Sequence, residues 1–110
     1  MIYIASLSTL VVAMLTTAVQ AADTPPGKHT YERWCATCHA AGDDFPGTVA
    51  LRAKYKGAVP DVLIERQDLS PDLIKYFVRN GVSIMPTFRK TEISDVELNE
   101  LANFLTKAKQ

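Results

Sequence analysis

Two cysteines and a histidine pose the chemical question. They stand together in Trp34-Cys35-Ala36-Thr37-Cys38-His39, and the chain of 110 residues holds no other cysteine and one other histidine, His29. Two thiols three positions apart could cross-link, help hold a metal, cycle as a dithiol, or add to an unsaturated group. A disulfide is the ordinary state of a cysteine pair in an exported protein. A bridge across two intervening residues, however, closes a tiny loop and restricts little unfolded-chain entropy. Zinc would need Cys35, Cys38, His39 and His29 together, and adjacent Cys38 and His39 are awkwardly placed for one tetrahedron.

Dithiol cycling finds some support. Trp34 before the first cysteine resembles the active site of the thioredoxin family, and Ile84-Met85-Pro86-Thr87 is similar to its short proline loop. That motif follows a buried hydrophobic strand, whereas here Gly27 to Arg33 (GKHTYER) is polar and helical in pattern. The spacing C-x-x-C-H also reads as c-type heme attachment. Thiols one helical turn apart can each add to a vinyl group of one porphyrin, and the following histidine then projects beneath the ring to ligate iron.

A second ligand is available. Of three methionines, Met1 and Met14 lie in an N-terminal leader pattern, which leaves Met85 in an apolar loop beside Pro86. A His39/Met85 pair is the ligation of an electron-transfer cytochrome and raises its reduction potential. The plainer role for a lone methionine is filling a gap in a core. With both axial positions filled the iron shuttles one electron and transforms no substrate.

These groups need elements to position them. Tyr31, Trp34, Cys35 and Cys38 fall at i, i+3, i+4 and i+7, which predicts a helix from about Gly27 to Thr37. Ala40 to Gly47 (AAGDDFPG) reads as a loop, and Thr48 to Ala58 as a short, weak helix. Ser70-Pro71-Asp72 is a helix start: a hydroxyl cap, proline at the first position and an acid in the first turn. Leu73, Ile74, Phe77 and Val78 form its expected buried face, and Asn80-Gly81 is a stop. Val82 to Arg89 is an apolar loop. Ser94 and Glu97 make a capping box, followed by Leu98, Leu101, Ala102 and Leu105 at helical spacing, with Lys107 and Lys109 suited to the negative end of the dipole. No strand or repeat is legible, so the class is all-α.

Residues 1–21 read as a signal peptide, with Val19-Gln20-Ala21 offering small residues for cleavage and residues 22–110 forming one domain. The usual positive n-region is absent, and the competing reading is a retained membrane anchor, because Ile2 to Val19 approaches spanning length. Either way residues 23–110 lie outside the cytoplasm, most simply in a bacterial periplasm. All twelve basic and twelve acidic residues lie beyond residue 22. No basic stripe points to nucleic acid and no acidic block to a disordered tail. A domain this small often needs a staple or cofactor to complete its core.

Taken together, the chain resembles a class I cytochrome c over essentially the whole of residues 22–110. The resemblance is carried by Gly27-x-x-x-Tyr31-x-x-x-Cys35-Ala-Thr-Cys38-His39, Pro46-Gly47 with Leu51, Asn80-Gly81, Met85-Pro86 with Phe88, and a capped last helix with Leu101 and Phe104. It implies three to five short helices wrapped around one heme c held by Cys35 and Cys38. The first and last helices would cross, packing Tyr31 and Trp34 against Leu101, Phe104 or Leu105. His39 would bind iron through Nε2 and give its Nδ1 proton to a backbone carbonyl, that of Pro46; such a bond fixes ring orientation. The stretch VRNGVSIMPTFRKTEISDVELNELANFL is also similar to the small cytochrome subunits of periplasmic flavocytochromes of the p-cresol methylhydroxylase and eugenol hydroxylase type. That implies a periplasmic redox partner, a flavoprotein dehydrogenase oxidising 4-alkylphenols. Arg52, Lys54, Lys56, Arg79, Arg89 and Lys90 are candidates to border the heme edge and guide docking, or else form an ordinary solvated surface.

Overall fold

The computed structural model describes residues 23–107. The expectations for residues 1–21 and Lys109 lie outside them. In chain order the elements are α1 (Lys28–Trp34), α2 (Ala36–His39), α3 (Pro46–Tyr55), a 3-10 turn (Leu63–Glu65), α4 (Pro71–Asn80) and α5 (Asp95–Lys107). Among the described residues there is no strand, only an isolated bridge between Val82 and Met85. The all-α class read from the sequence is the one observed.

The two strongest sequence signals become the two best-capped helices. Ser70 Oγ accepts from Leu73 N at 3.2 Å, and Pro71 opens α4. Before α5, Ser94 N donates to Glu97 Oε2 at 2.7 Å and Glu97 N donates back to Ser94 Oγ at 3.2 Å. The reciprocal pair satisfies two amides that no helical carbonyl can reach.

Two boundaries differ from expectation. The helix over residues 27–37 breaks at Cys35, where φ is −108°, and resumes through His39. Cys38 N and His39 N both donate to Cys35 O, at 3.0 and 2.9 Å, so the chain stays helical while it bends. Pro46-Gly47 does not close a loop; it begins α3. Proline is well tolerated at the first helical position, where its missing N–H has no partner to lose. The helix ends at Tyr55, with Lys56 in the left-handed region at φ 49°.

The core gathers Tyr31, Cys35, Ile74, Val78, Ile93, Leu98, Leu101, Ala102 and Leu105. The amphipathic pattern of α5 thus meets α1 on one side and α4 on the other. Leu73 is not in this set. It stays 39% exposed on the flank of α4 while Ile74 and Val78 turn inward.

Helices α1 and α5 pack as closely as backbone allows. A Cβ on Gly27 would lie 2.2 Å from the Glu100 carbonyl oxygen and 2.7 Å from Leu101 N. Further along, the Tyr31 and Phe104 rings meet at 5.9 Å, as expected for Tyr31. Trp34 takes another ring partner. It meets Phe88 edge-on at 5.8 Å, so α1 is joined to the segment after Met85 as well as to α5.

Candidate functional site

The bend at Cys35 sets the site. Cys35 is buried in the core and Cys38 is partly exposed; both are free thiols, not a disulfide. Burial, reinforced by the neighbouring Cys38, pushes the Cys35 thiol up to about 12. Reactive dithiol centres do the opposite and lower the pKa of the attacking thiol. The fold gives the thioredoxin reading no support either, because the described residues contain no strand to carry such a motif. The zinc reading fails: no group of three or more metal-ligating side chains gathers among the described residues.

His39 ends α2 with an imidazole that burial holds below its ordinary pKa, hence neutral near pH 7 with a lone pair to donate. Its Nδ1 is buried and makes no hydrogen bond. The resemblance implied a bond from this atom to the Pro46 carbonyl, and none is formed. What lies against the ring is the next residue. A Cβ on Gly47 would stand 2.7 Å from His39 Cε1, 2.8 Å from Nδ1 and 2.7 Å from the Cys38 carbonyl oxygen. The start of α3 is therefore a cradle cut to the imidazole. Two side chains fix the surrounding backbone: fully buried Thr48 donates to Ala40 O at 2.7 Å, and the Tyr31 hydroxyl to His39 O at 3.4 Å.

Met85 arrives on a tight two-residue hairpin. Val82 N donates to Met85 O at 3.2 Å and Met85 N to Val82 O at 2.9 Å, with Ser83 at φ 54°. Gly81 before it has φ 68° and ψ 175°, a region essentially reserved for glycine. A Cβ there would sit 2.5 Å from the Met85 carbonyl oxygen. Met85 itself packs against the same core cluster as Cys35 and Trp34, half-buried rather than sealed within it.

The donor set fits a covalently held heme c. Two thiols sit on a bent helix at attachment spacing, the next residue is a neutral imidazole with an orphaned second nitrogen, and a glycine cradles its ring. Fold and site together define a c-type cytochrome. The protein family described as cytochrome c oxidase, cbb3-type, subunit III, matches residues 22–105, and the chain belongs to it. Cytochrome c6 of Cyanidioschyzon merolae is 34% identical over 93 residues, covering 84% of this chain and 82% of its own. Cytochrome c6 of Alaria esculenta is 27% identical over 79 residues, covering 72% and 84%. No solved structure gives a significant match. The protein is a monoheme class I c-type cytochrome, an electron carrier and not an enzyme. Nothing in these matches supports the narrower resemblance to flavocytochrome subunits.

The candidate docking cations separate into different roles. Arg79 is largely buried and donates to Phe88 O, Ile93 O and Asp95, so it holds the fold together. Arg52 bridges Asp43 and Asp61. Arg89 and Lys90 pair with Glu92 and Asp95 but keep 78% and 73% of their side chains exposed. His29 is exposed, as expected. Sequence reasoning missed Thr48, the Arg79 contacts, and Arg66, which is buried beneath a forked pair to Asp68 and stacks on Tyr55 at 4.6 Å. Each depends on a partner remote in sequence or on burial that no local pattern announces.

Proposed function

We propose that this cytochrome carries single electrons through a low-spin heme c ligated by His39 and Met85. When bound, the heme supplies an iron that alternates between ferrous and ferric states at a potential raised by thioether ligation. The chain does the rest. Cys35 and Cys38 fix the ring to α1 and α2. His39 presents a neutral nitrogen, and Pro46 begins α3 and so sets Gly47 against the imidazole. Met85, on the Val82–Met85 hairpin that follows Gly81, would supply the thioether ligand. The observation that carries the reading is the buried, cradled imidazole directly after the cysteine pair.

The proposed setting is a bacterial periplasm, reached by removal of residues 1–21, with another exported redox protein as partner. Among the described residues no helix is long and apolar enough to cross a membrane. Partner docking falls to the exposed part of the cationic set, Arg89 and Lys90 first.

The test is ligand replacement. Met85→Ala should lower the potential, abolish the sulfur-to-iron band of the ferric protein, and let the ferrous protein bind carbon monoxide at neutral pH. A variant that keeps the wild-type spectrum and potential would remove Met85 from the site.

A further inference from the structure

We propose that Arg79 is a positioning residue for the sixth iron ligand, its guanidinium latching the segment after Met85 onto α4. The inference rests on the reading of Met85 as that ligand. Residues 86–94 carry no helix or strand, yet they must hold the methionine sulfur in place against any competing ligand. One backbone bond ties this segment to α4, from Phe88 N to Val78 O at 2.8 Å. Ile93 also packs with Ile74 and Val78 of α4, and the other hydrogen bonds to α4 among the described residues come from one side chain. Arg79 Nη1 donates to Phe88 O at 3.0 Å and to Ile93 O at 2.9 Å, and Nη2 donates to Asp95 Oδ1 at 2.9 Å.

The contacts span the segment. Phe88 is three residues past Met85, Ile93 is fully buried near the far end, and Asp95 is the first residue of α5. Asp95 also accepts from Lys90 Nζ at 2.7 Å, which closes the outside of the latch. Phe88 is held from three directions: by its N–H, by its carbonyl, and by its ring against Trp34, the residue before Cys35. Arg79 thus holds the same residue that packs on Trp34 beside the cysteine pair. Only 22% of its side chain is exposed, so water competes poorly for these bonds. The planar guanidinium can serve two carbonyls and a carboxylate at once; a lysine ammonium is a compact charge and cannot span them.

An external ligand can reach ferric iron only when Met85 leaves, so its apparent affinity scales with the population of the released loop. The experiment titrates imidazole into heme-loaded ferric protein. Hydrogen bonds from a charged donor are worth enough that Arg79→Lys should tighten imidazole binding by about tenfold or more. Val62→Ala, at a buried residue outside the core cluster that Met85 and Phe88 pack against, should lower the urea midpoint without that gain. In Met85→Ala, where the site is already open, adding Arg79→Lys should give no further tightening.

Wild-type imidazole affinity in Arg79→Lys, beside tight binding in Met85→Ala, would overturn the latch and leave methionine ligation standing. Equal affinity in Met85→Ala and wild type would overturn the ligation, and the latch with it. Should Arg79→Lys fail to take up heme, Asp95→Asn carries the test. It keeps both carbonyl bonds, so a gain of about threefold supports the latch, and no gain overturns it.

Discussion

Replacing Gly47 by alanine sets two effects of known size against each other. Gly47 is the second residue of α3 and is not among the positive-φ glycines, so its backbone suits any residue. Helix propensity alone would make alanine the better choice by up to ~1 kcal/mol. Packing opposes this. The new methyl would lie 2.7 Å from the Cys38 carbonyl oxygen and 2.7 Å from His39 Cε1, the latter short of ordinary carbon contact by about 0.8–1.3 Å. The carbonyl belongs to the bent helix and cannot retreat, so the imidazole or the start of α3 must move. Overpacking of this kind costs about 1–3 kcal/mol. Net destabilisation should reach up to ~2 kcal/mol, with a rotated imidazole. Urea unfolding of the heme-loaded protein reads the first, and the low-spin ferric EPR spectrum, sensitive to ring orientation, reads the second. A Gly47→Ala protein about 1 kcal/mol more stable than wild type, with unchanged g values, would refute the cradle.

Three further outcomes follow from the same geometry. Gly81→Ala combines a backbone region glycine alone favours with a Cβ 2.5 Å from the Met85 carbonyl; it should cost ~2 kcal/mol or more and weaken the sulfur-to-iron band, and an intact band would contradict the role given to Gly81. Ser94→Ala removes the side-chain half of the α5 capping box and should cost about 1 kcal/mol in urea unfolding, with the spectrum unchanged; no measurable loss would show that the cap contributes nothing. Lys90, followed by Arg79, holds the Asp95 carboxyl below its usual range, and the Ser94 and Arg89 amides do so for Glu97 and Glu92. A depressed carboxylate stabilises the fold above its unfolded pKa, and that stability is lost as pH falls through the lower folded value. Urea stability should therefore begin to fall below about pH 4, and Asp95→Asn should flatten the fall; an equally steep acid limb in the variant would exclude Asp95 as a contributor.

Much of this site was legible because its signals are local. Attachment spacing, the Ser70 and Ser94 caps and the i, i+3, i+4, i+7 stripe of α5 depend on neighbours a few residues away. They survived into the structure nearly unchanged. The misread boundary at Pro46-Gly47 shows how a dipeptide common in turns also suits a helix start, where proline's missing N–H costs nothing. The break at Cys35 was hidden because the hydrophobic spacing runs straight through it. Leu73 satisfied the period of α4 yet stays 39% exposed, outside the core that Ile74 and Val78 join. Arg79 read as one more surface cation. Its contacts lie 9 to 16 residues away, and no local pattern encodes them. Pro46 was expected to accept the His39 Nδ1 proton through its carbonyl; that nitrogen has no hydrogen-bond partner, and Gly47 lies against the ring.

His39 and Met85 are the two iron ligands proposed for this cytochrome. Met85 is the only methionine after the leader pattern, so selective labelling of methionine methyl groups reports on it alone in a chain lacking residues 1–21. In the NMR spectrum of the ferrous protein that methyl should appear far upfield, shifted by the porphyrin ring current, and vanish in Met85→Ala. A methyl signal at the ordinary position for a core methionine would contradict the central claim.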